Sequence, residues 1–301
     1  MFSSQDRLTR AYKEARRISF DDSSKFILFS DCHRGDGSFA DDFANNRNIY
    51  QHALKYYFEN DFTYIEIGDG DELWENLFFK DVLEANKSVY LQLQKYYNTN
   101  KLHMIYGNHD MVYRNPAVVK KNFSDYFDVK EGKKLPLMPN LEFHEGIVLE
   151  NVQTKQEIFL THGHQADFMN YVGWQINRFF VRILWKPLQI WGIKDPTSPA
   201  KNYTELVKVE RRIKKWIAYN KNLITIVGHT HRPHFPKPQE NELSFFNDGS
   251  CVHPRSITGI EIEDGNISLI KWFIDTTDNG VLQIVKEYLE SPQKLSNYSR
   301  T

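Results

Sequence analysis

Only two cysteines, Cys32 and Cys251, occur among 301 residues. That is too few for a disulfide framework, and a reducing cytoplasm is the expected compartment. No stretch of about 18 apolar residues occurs, so no segment is expected to span a membrane. The basic start, with Arg7, Arg10, Lys13, Arg16 and Arg17, is followed by no continuous apolar run, so a secretory signal is not expected. Net charge is also missing: the formal value is −1, which excludes a polyelectrolyte binder. Repeats and low-complexity linkers are absent. What remains is 41% hydrophobic and 26% charged, the balance of a globular chain with a sizeable core. The length suits one α/β domain over residues 1–301 that carries an insertion.

Against that background five short motifs stand out. They are Asp31-Cys32-His33, Gly68-Asp69, Gly107-Asn108-His109-Asp110, His162-Gly163-His164 and Gly228-His229-Thr230-His231. Each follows an apolar, β-branched run, so each is expected at a strand exit. The runs are Phe26–Phe29, Tyr64–Ile67, Met104–Tyr106, Glu157–Leu160 and Leu223–Val227. A helix pattern over 5–18 precedes the first run, and patterns over 45–58 and 81–97 separate the first three. Alternating strand and helix signals imply β-α-β units with helices on both faces of a sheet. Ile147–Leu149 and Glu157–Leu160 are expected to form a hairpin. The runs at 243–246, 257–262 and 267–274 read as a β-meander, with Asp264-Gly265 as a turn. The tail reads as a short helix from Val281 to Leu289.

Residues 165–222 are the insertion. Two helical patterns flank a break from Pro187 to Pro199. The first carries a polar stripe of Gln175, Arg178, Arg182, Lys186 and Gln189 beside an apolar arc that includes Phe168, Trp174, Phe179, Phe180, Trp185 and Trp191. The second carries Leu206, Val209, Ile213, Trp216 and Ile217. Residues 166–222 hold eleven Lys and Arg against four Asp and Glu, a local formal charge of +7. This asymmetry points to an anionic partner. Arg178 and Arg182 are candidate substrate contacts. Two readings stay open for the helical pair: a cap filled by its own packing, or a lid for an amphiphilic substrate that also touches a bilayer surface.

The motifs supply two Asp, one Asn and several His. Asp31 and His33 project to one side of a strand exit, and His229 and His231 repeat that spacing. Carboxylate with imidazole suits Mn²⁺, with Fe, Co²⁺ or Zn²⁺ as alternatives to it, better than the all-oxygen shells of Mg²⁺ or Ca²⁺. Two adjacent metals need a bridging ligand, and Asp69 is placed for it. His164 reads as a neighbour of the ligands. Arg34 reads either as a phosphate contact or as a surface arginine closing a loop. Asp71, Glu72 and Glu75 read as supports of the ligands or as the start of a helix. His52, His103 and His144 read as ordinary packed or surface residues.

This motif set, spanning about residues 25 to 275, resembles the calcineurin-like metallophosphoesterase superfamily. The resemblance implies a four-layer α-β-β-α sandwich, here with a helical cap, and metal-dependent cleavage of phosphoesters. It implies that Asp31, His33, Asp69 and His231 hold one divalent metal. It implies that Asp69, Asn108, His162 and His229 hold the other. His109 is then the non-ligand histidine that protonates the leaving group or steadies the phosphoryl oxygens, and Asp110 orients it. The place of the insertion is similar to that in UDP-2,3-diacylglucosamine pyrophosphatase-like enzymes. There a helical lid holds acyl chains while a diphosphate is hydrolysed. This chain has His162-Gly163-His164 where that branch often has His-Gly-Asp, so other phosphorylated substrates stay open: nucleotides, nucleic acid or phosphoproteins. A non-catalytic scaffold is the alternative from another class.

Overall fold

The computed structural model describes residues 3–171, 173–182, 203–240 and 242–298. The chain opens with helix α1 (Ser4–Lys13). Ser3 caps it: the Ser3 hydroxyl accepts from the Asp6 amide, and the Asp6 carboxylate accepts from the Ser3 amide. The expected helix over 5–18 therefore stops early. Residues Arg16–Phe20 are strand β1 instead, paired in parallel with strand β8 (Gly146–Asn151).

Two sheets form the centre. One contains β1, β8, β9 (Glu157–Thr161), β10 (Ile224–Val227) and β11 (Phe245–Asn247), in the order β1-β8-β9-β10-β11. The pair β8–β9 is the expected antiparallel hairpin. The other sheet contains β2 (Phe26–Phe29), β3 (Thr63–Ile67), β4 (Leu102–Ile105), β7 (Phe143–His144), β12 (Ser256–Glu263), β13 (Asn266–Thr276) and β14 (Leu282–Lys294). Its order is β14-β13-β12-β2-β3-β4-β7, with β2, β3, β4 and β7 parallel. A small hairpin of β5 (Asp125–Asp128) and β6 (Lys133–Pro136) stands apart.

Two further expectations change here. The run at 243–246 is not part of the meander, because β11 pairs in parallel with β10 in the first sheet. The meander is β12-β13-β14, and its last member replaces the expected tail helix. Gly280, at φ 77, supplies the left-handed turn before it. Val281, Ile284 and Val285 are β-branched, and pairing with the 11-residue partner strand β13 outweighs a weak helical pattern.

Helices α2 (Arg47–Glu59), α3 (Phe79–Ala85), α4 (Lys87–Asn98) and α5 (Pro116–Phe123) cover the outer face of the larger sheet. The expected helix over 81–97 is two helices joined at Asn86. Its side chain is turned onto the carbonyls of Gly35 and Val82. Strand alternation sorts the core. Ile27, Phe29 and Tyr64 face these helices, while Leu28, Ile65, Ile67 and Ile105 face the other sheet. That sheet answers with Ile147, Leu149, Ile158, Leu160, Ile224 and Ile226. Its outer face carries Val148, Phe159, Val227 and Phe245 against α1 and α8 (Tyr203–Tyr219). The four layers are thus helices, sheet, sheet, helices.

The cap begins with α6 (Phe168–Tyr171) and α7 (Trp174–Phe180). The positions expected at Trp185, Lys186, Gln189 and Trp191, and the break from Pro187 to Pro199, lie outside the described residues. So does the side chain of Phe180. Among the described residues no helix is long and apolar enough to cross a membrane. The second cap helix, α8, is packed rather than free. Leu206, Val209, Ile213, Trp216 and Ile217 are all buried. Trp216 meets Tyr12 edge-on and Phe159 at a tilt, and donates to Thr9 Oγ1 at 2.9 Å. Trp216→Ala is expected to cost about 3–5 kcal/mol in urea unfolding. A loss under about 1 kcal/mol would show that α8 is not fastened there.

Candidate metal centre

Strands β2, β3 and β4 run parallel, so their exits open at one end of the sheet. Strands β9 and β10 do the same in the facing sheet. Residues 31–33, 69, 108–109, 162 and 229–231 follow those exits and converge. The backbone pays no attention to ordinary preferences there. Asp31, His33, Asp69, His229 and His231 have φ of 50, 47, 51, 66 and 55°. Left-handed backbone costs a non-glycine residue roughly 1–3 kcal/mol and persists where the surroundings force it. Glycines let the loops close in. A Cβ on Gly107 would lie 2.1 Å from Asp69 Oδ1, and one on Gly228 would lie 2.3 Å from Ser30 Oγ.

One group of donors is Asp31, His33 and His231. His231 Nε2 lies 2.9 Å from Asp31 Oδ1, and His33 Nε2 lies 3.7 Å from that oxygen. A second group is Asp69, His162 and His229, with His162 Nε2 3.1 Å from Asp69 Oδ2. Asp69 Oδ2 is also 3.8 Å from His33 Nε2, so this oxygen lies between the two groups. Buried polar atoms are nearly always hydrogen-bonded. Yet Asp31 Oδ1, Asn108 Oδ1, His162 Nε2 and His229 Nε2 are buried without a hydrogen-bond partner. Unpaired lone pairs of O and N gathered in one place fit metal binding.

The outer atoms fix the inner ones. His162 Nδ1 donates to the Ile67 carbonyl at 2.8 Å, which leaves Nε2 as a lone pair. Burial opposes charge on His162, but Asp69 and Asp31 outweigh it and lift its pKa to about 9. The same balance holds Asp31 and Asp69 below the usual carboxylate range. Burial works against their charge, and the surrounding histidines, His162 foremost for Asp69 and His231 for Asp31, prevail. Ser30 Oγ is 2.6 Å from Asp31 Oδ2 and 2.7 Å from Asp248 Oδ1. One hydroxyl proton cannot serve both oxygens. Burial and then Asp31 push Asp248 well above the usual range, so Asp248 brings the second proton. Asn247 closes the other side, donating to Gly228 O and Thr230 Oγ1.

Glu72 is the carboxylate at the catalytic candidate. It accepts from His33 Nδ1 at 2.8 Å and from His109 Nδ1 at 2.8 and 2.7 Å. The Trp74 indole stacks on the His109 ring, 4.1 Å between centroids. Asp110 was expected in that place. Its carboxylate instead accepts from the amides of Gly107 at 2.6 Å, Gly70 at 2.9 Å and Asp71 at 3.4 Å. It ties two loops together and makes no hydrogen bond to the His109 ring. His109 itself lies within donor reach of His33 and Asp69, and its amide donates to Asp69 Oδ1 at 2.8 Å.

The match with known proteins follows the same residues. The family model for calcineurin-like phosphoesterases matches residues 24–233. The chain belongs to the calcineurin-like phosphoesterase family. No curated protein matches the chain. Among solved structures, Vps29 of Chaetomium thermophilum aligns with 91% of this chain and 100% of its own, at 10% identity and a TM-score of 0.39.

Within this calcineurin-like phosphoesterase, the expected substrate residues fare unequally. Arg34 is not open to substrate. It is 1% exposed and gives two bonds to Glu66, at 2.6 and 2.8 Å, and one to Asp71 at 2.8 Å. Tyr90 and Tyr113 donate to Asp71, and Tyr64 donates to Glu66. Arg34 thus underlies the loops that carry Asp31, Asp69 and Glu72. Glu66 sits on a strand side chain facing the helices, a position where sequence alternation predicts an apolar residue. His164 is buried, with its ring 5.4 Å from His162 and stacked on Tyr171. Burial pushes its pKa well down, and both ring nitrogens lack a partner. Arg178 is half-buried over Trp174. Arg182 donates to the main-chain carbonyls of Leu73, Trp74 and Asn76.

Ser30, Asp248 and Asn247 escaped the sequence reading, and Glu72 was read there only as a support of the ligands or the start of a helix. Only Glu72 carried a signal, three positions after Asp69. Arg34→Met is expected to cost about 3–5 kcal/mol, because Glu66 and Asp71 would stay buried without their cation. Urea unfolding measures this. An unchanged stability with a raised KM would restore Arg34 as a substrate contact.

Proposed function

We propose that this phosphoesterase is a dinuclear metallohydrolase that cleaves a phosphoester or diphosphate bond of an amphiphilic phosphate, such as a nucleotide-sugar lipid. Family membership supports metal-dependent phosphoester hydrolysis in general. The observation that carries the finer reading is Asp69 Oδ2, set between His33 of one donor group and His162 of the other, with Asp31 Oδ1, Asn108 Oδ1, His162 Nε2 and His229 Nε2 buried around it and without a hydrogen-bond partner among the described residues. In this reading Asp31, His33, Asp69 and His231 hold one cation, and Asp69, Asn108, His162 and His229 hold the other. Manganese suits that mixture of oxygen and imidazole nitrogen. When bound, such cations neutralise charge on the phosphoryl group and lower the pKa of water.

The residues of the chain supply the rest. Water adds to phosphorus, the bond to the leaving oxygen breaks, and that oxygen takes a proton. We assign the proton to His109. Its Nδ1 is held by Glu72, which leaves Nε2 to face the reaction. A carboxylate on one ring nitrogen raises the basicity of the other and fixes the tautomer. Burial opposes the charge on Glu72, but His109 and His33 keep it ionised. The amphiphilic part of the reading rests on the cap. Phe168, Met169 and Phe179 are exposed there, beside half-buried Arg178. Leu77 and Phe78 are exposed on the loop that Arg182 meets. Apolar side chains next to guanidinium suit a phosphate with an acyl or aromatic body, and they suit contact with a membrane surface. Cys32 and Cys251 are free and buried, in keeping with a cytoplasmic protein.

Asp69→Asn is expected to lower the content of both metals, measured by elemental analysis of purified protein. Two metals per chain in the variant would overturn the bridge assignment. His109→Ala is expected to keep both metals and to lower kcat on a small phosphodiester by about 10²–10⁴-fold. A parallel fall of metal content and rate would make His109 a ligand instead.

A further inference from the structure

We propose that Arg182 of the cap is a positioning residue for His109, acting through the Glu72–Asn76 loop that it grips by three carbonyls. The inference rests on the reading of His109 as the proton donor. It gives the cap a part in the chemistry of every substrate, not only of long ones.

The loop is a small stiff unit. Glu72 O accepts from the Asn76 amide at 3.2 Å and from Asn76 Nδ2 at 2.8 Å. Glu72 Oε1 accepts from the amides of Trp74 at 3.1 Å and Glu75 at 3.3 Å. A loop bonded to itself in this way moves as one piece. It is fastened below by the Glu72 amide, which donates to Arg34 O at 3.0 Å. From the cap, Arg182 Nη2 donates to Leu73 O at 2.9 Å and to Asn76 O at 3.4 Å, and Nε donates to Trp74 O at 3.2 Å.

What the loop carries explains why this grip matters. Glu72 holds Nδ1 of both His33 and His109. Trp74 lies flat on His109, 4.1 Å away and 21° from parallel, with its indole 4% exposed. His109 is therefore held on its edge by one residue of the loop and on its face by another. A shift of the loop moves both supports together, and misplacement of a catalytic group by about 1 Å costs on the order of 10²-fold in rate. The planar fork of arginine reaches three carbonyls at once, which the point charge of lysine cannot do. Arg182 is thus turned toward the protein, and its bonds are spent on the main chain.

The test uses the full chain loaded with Mn²⁺ and the small substrate bis(p-nitrophenyl) phosphate. Arg182→Gln is expected to lower kcat by about 10–10²-fold with KM within twofold and metal content unchanged. Arg182→Lys should recover part of the loss. Trp74 emission, isolated by difference against Trp74→Phe, should become more open to acrylamide quenching in Arg182→Gln. Trp74→Leu should reproduce the kcat loss, and the double variant Arg182→Gln/Trp74→Leu should lose much less than the product of the two singles. A raised KM with wild-type kcat and wild-type quenching overturns the proposal and returns Arg182 to substrate binding. Multiplicative losses in the double variant also overturn it. If the wild-type protein hydrolyses no phosphoester, the functional reading fails by itself. The quenching of Trp74 still decides whether Arg182 holds the loop. Should Arg182→Gln unfold, Arg182→Lys and Trp74→Leu carry the same comparison.

Discussion

The structure turns on carboxylates buried close together. Asp31, Glu66, Asp69, Asp71, Glu72, Asp110 and Asp248 are all withdrawn from water at one end of the two sheets. An unpaired buried carboxylate is penalised by several kcal/mol even after relaxation, so each must find positive charge, donors or a proton. The three solutions are divided in space. Arg34 serves Glu66 and Asp71 on the helix side of the larger sheet. Amides donate to Asp110, yet burial pushes the carboxyls of both Asp110 and Asp248 well above the usual range, which favours their neutral forms. Histidines face Asp31, Asp69 and Glu72, and these three are the ones that stay ionised toward the open face. Charge is thereby left over only at the place where the strand exits meet. That is where divalent cations fit.

Holding that leftover charge in position requires rigidity on all sides. Five residues of the donor loops adopt left-handed backbone, and strain of this kind survives only in a scaffold that outweighs it. The inter-sheet core of Leu28, Ile65, Ile67, Leu160 and Ile226 ends directly beneath these loops. The outer layers add their own hold through Tyr90 and Tyr113 on Asp71, and through Arg7 on the carbonyl of Gln165. Asp69 and Asp31 lift the pKa of His162 to about 9 against the pull of its burial.

The donor set was legible in the sequence because each donor lies within a few residues of a strand, and strands announce themselves by composition. The alternation pointed only to helices on both faces of a sheet, and the four-layer order came from the family resemblance. The partners of those donors were not legible in the same way. Asp110 is adjacent to His109 in sequence, yet adjacent residues on a tight turn point apart, and Glu72 arrives from 37 residues away to take the ring. Arg34 follows a donor motif and reads as a free cation. Only the fold shows that the strand residue Glu66 and the bridge partner Asp71 absorb it. The tail misled for a different reason. Val281 to Leu289 has no strong period of its own, and its strand exists because β13 offers a long open edge.

These two misreadings meet at one loop. Glu72 and Arg34 are joined through the main chain, since the Glu72 amide donates to the Arg34 carbonyl. The loop above them ends at Asn76, under the guanidinium of Arg182. A buried arginine therefore sets the loop from below and a cap arginine grips it from above. Between them lie the two groups that hold His109, one carboxylate and one indole. Arg34 has no exposed fork to offer a phosphate, and Arg182 gives its Nε and Nη2 to main-chain carbonyls. The open donors lie instead at the strand exits. The arginines' contribution is to keep those donors, and the histidine beside them, from moving.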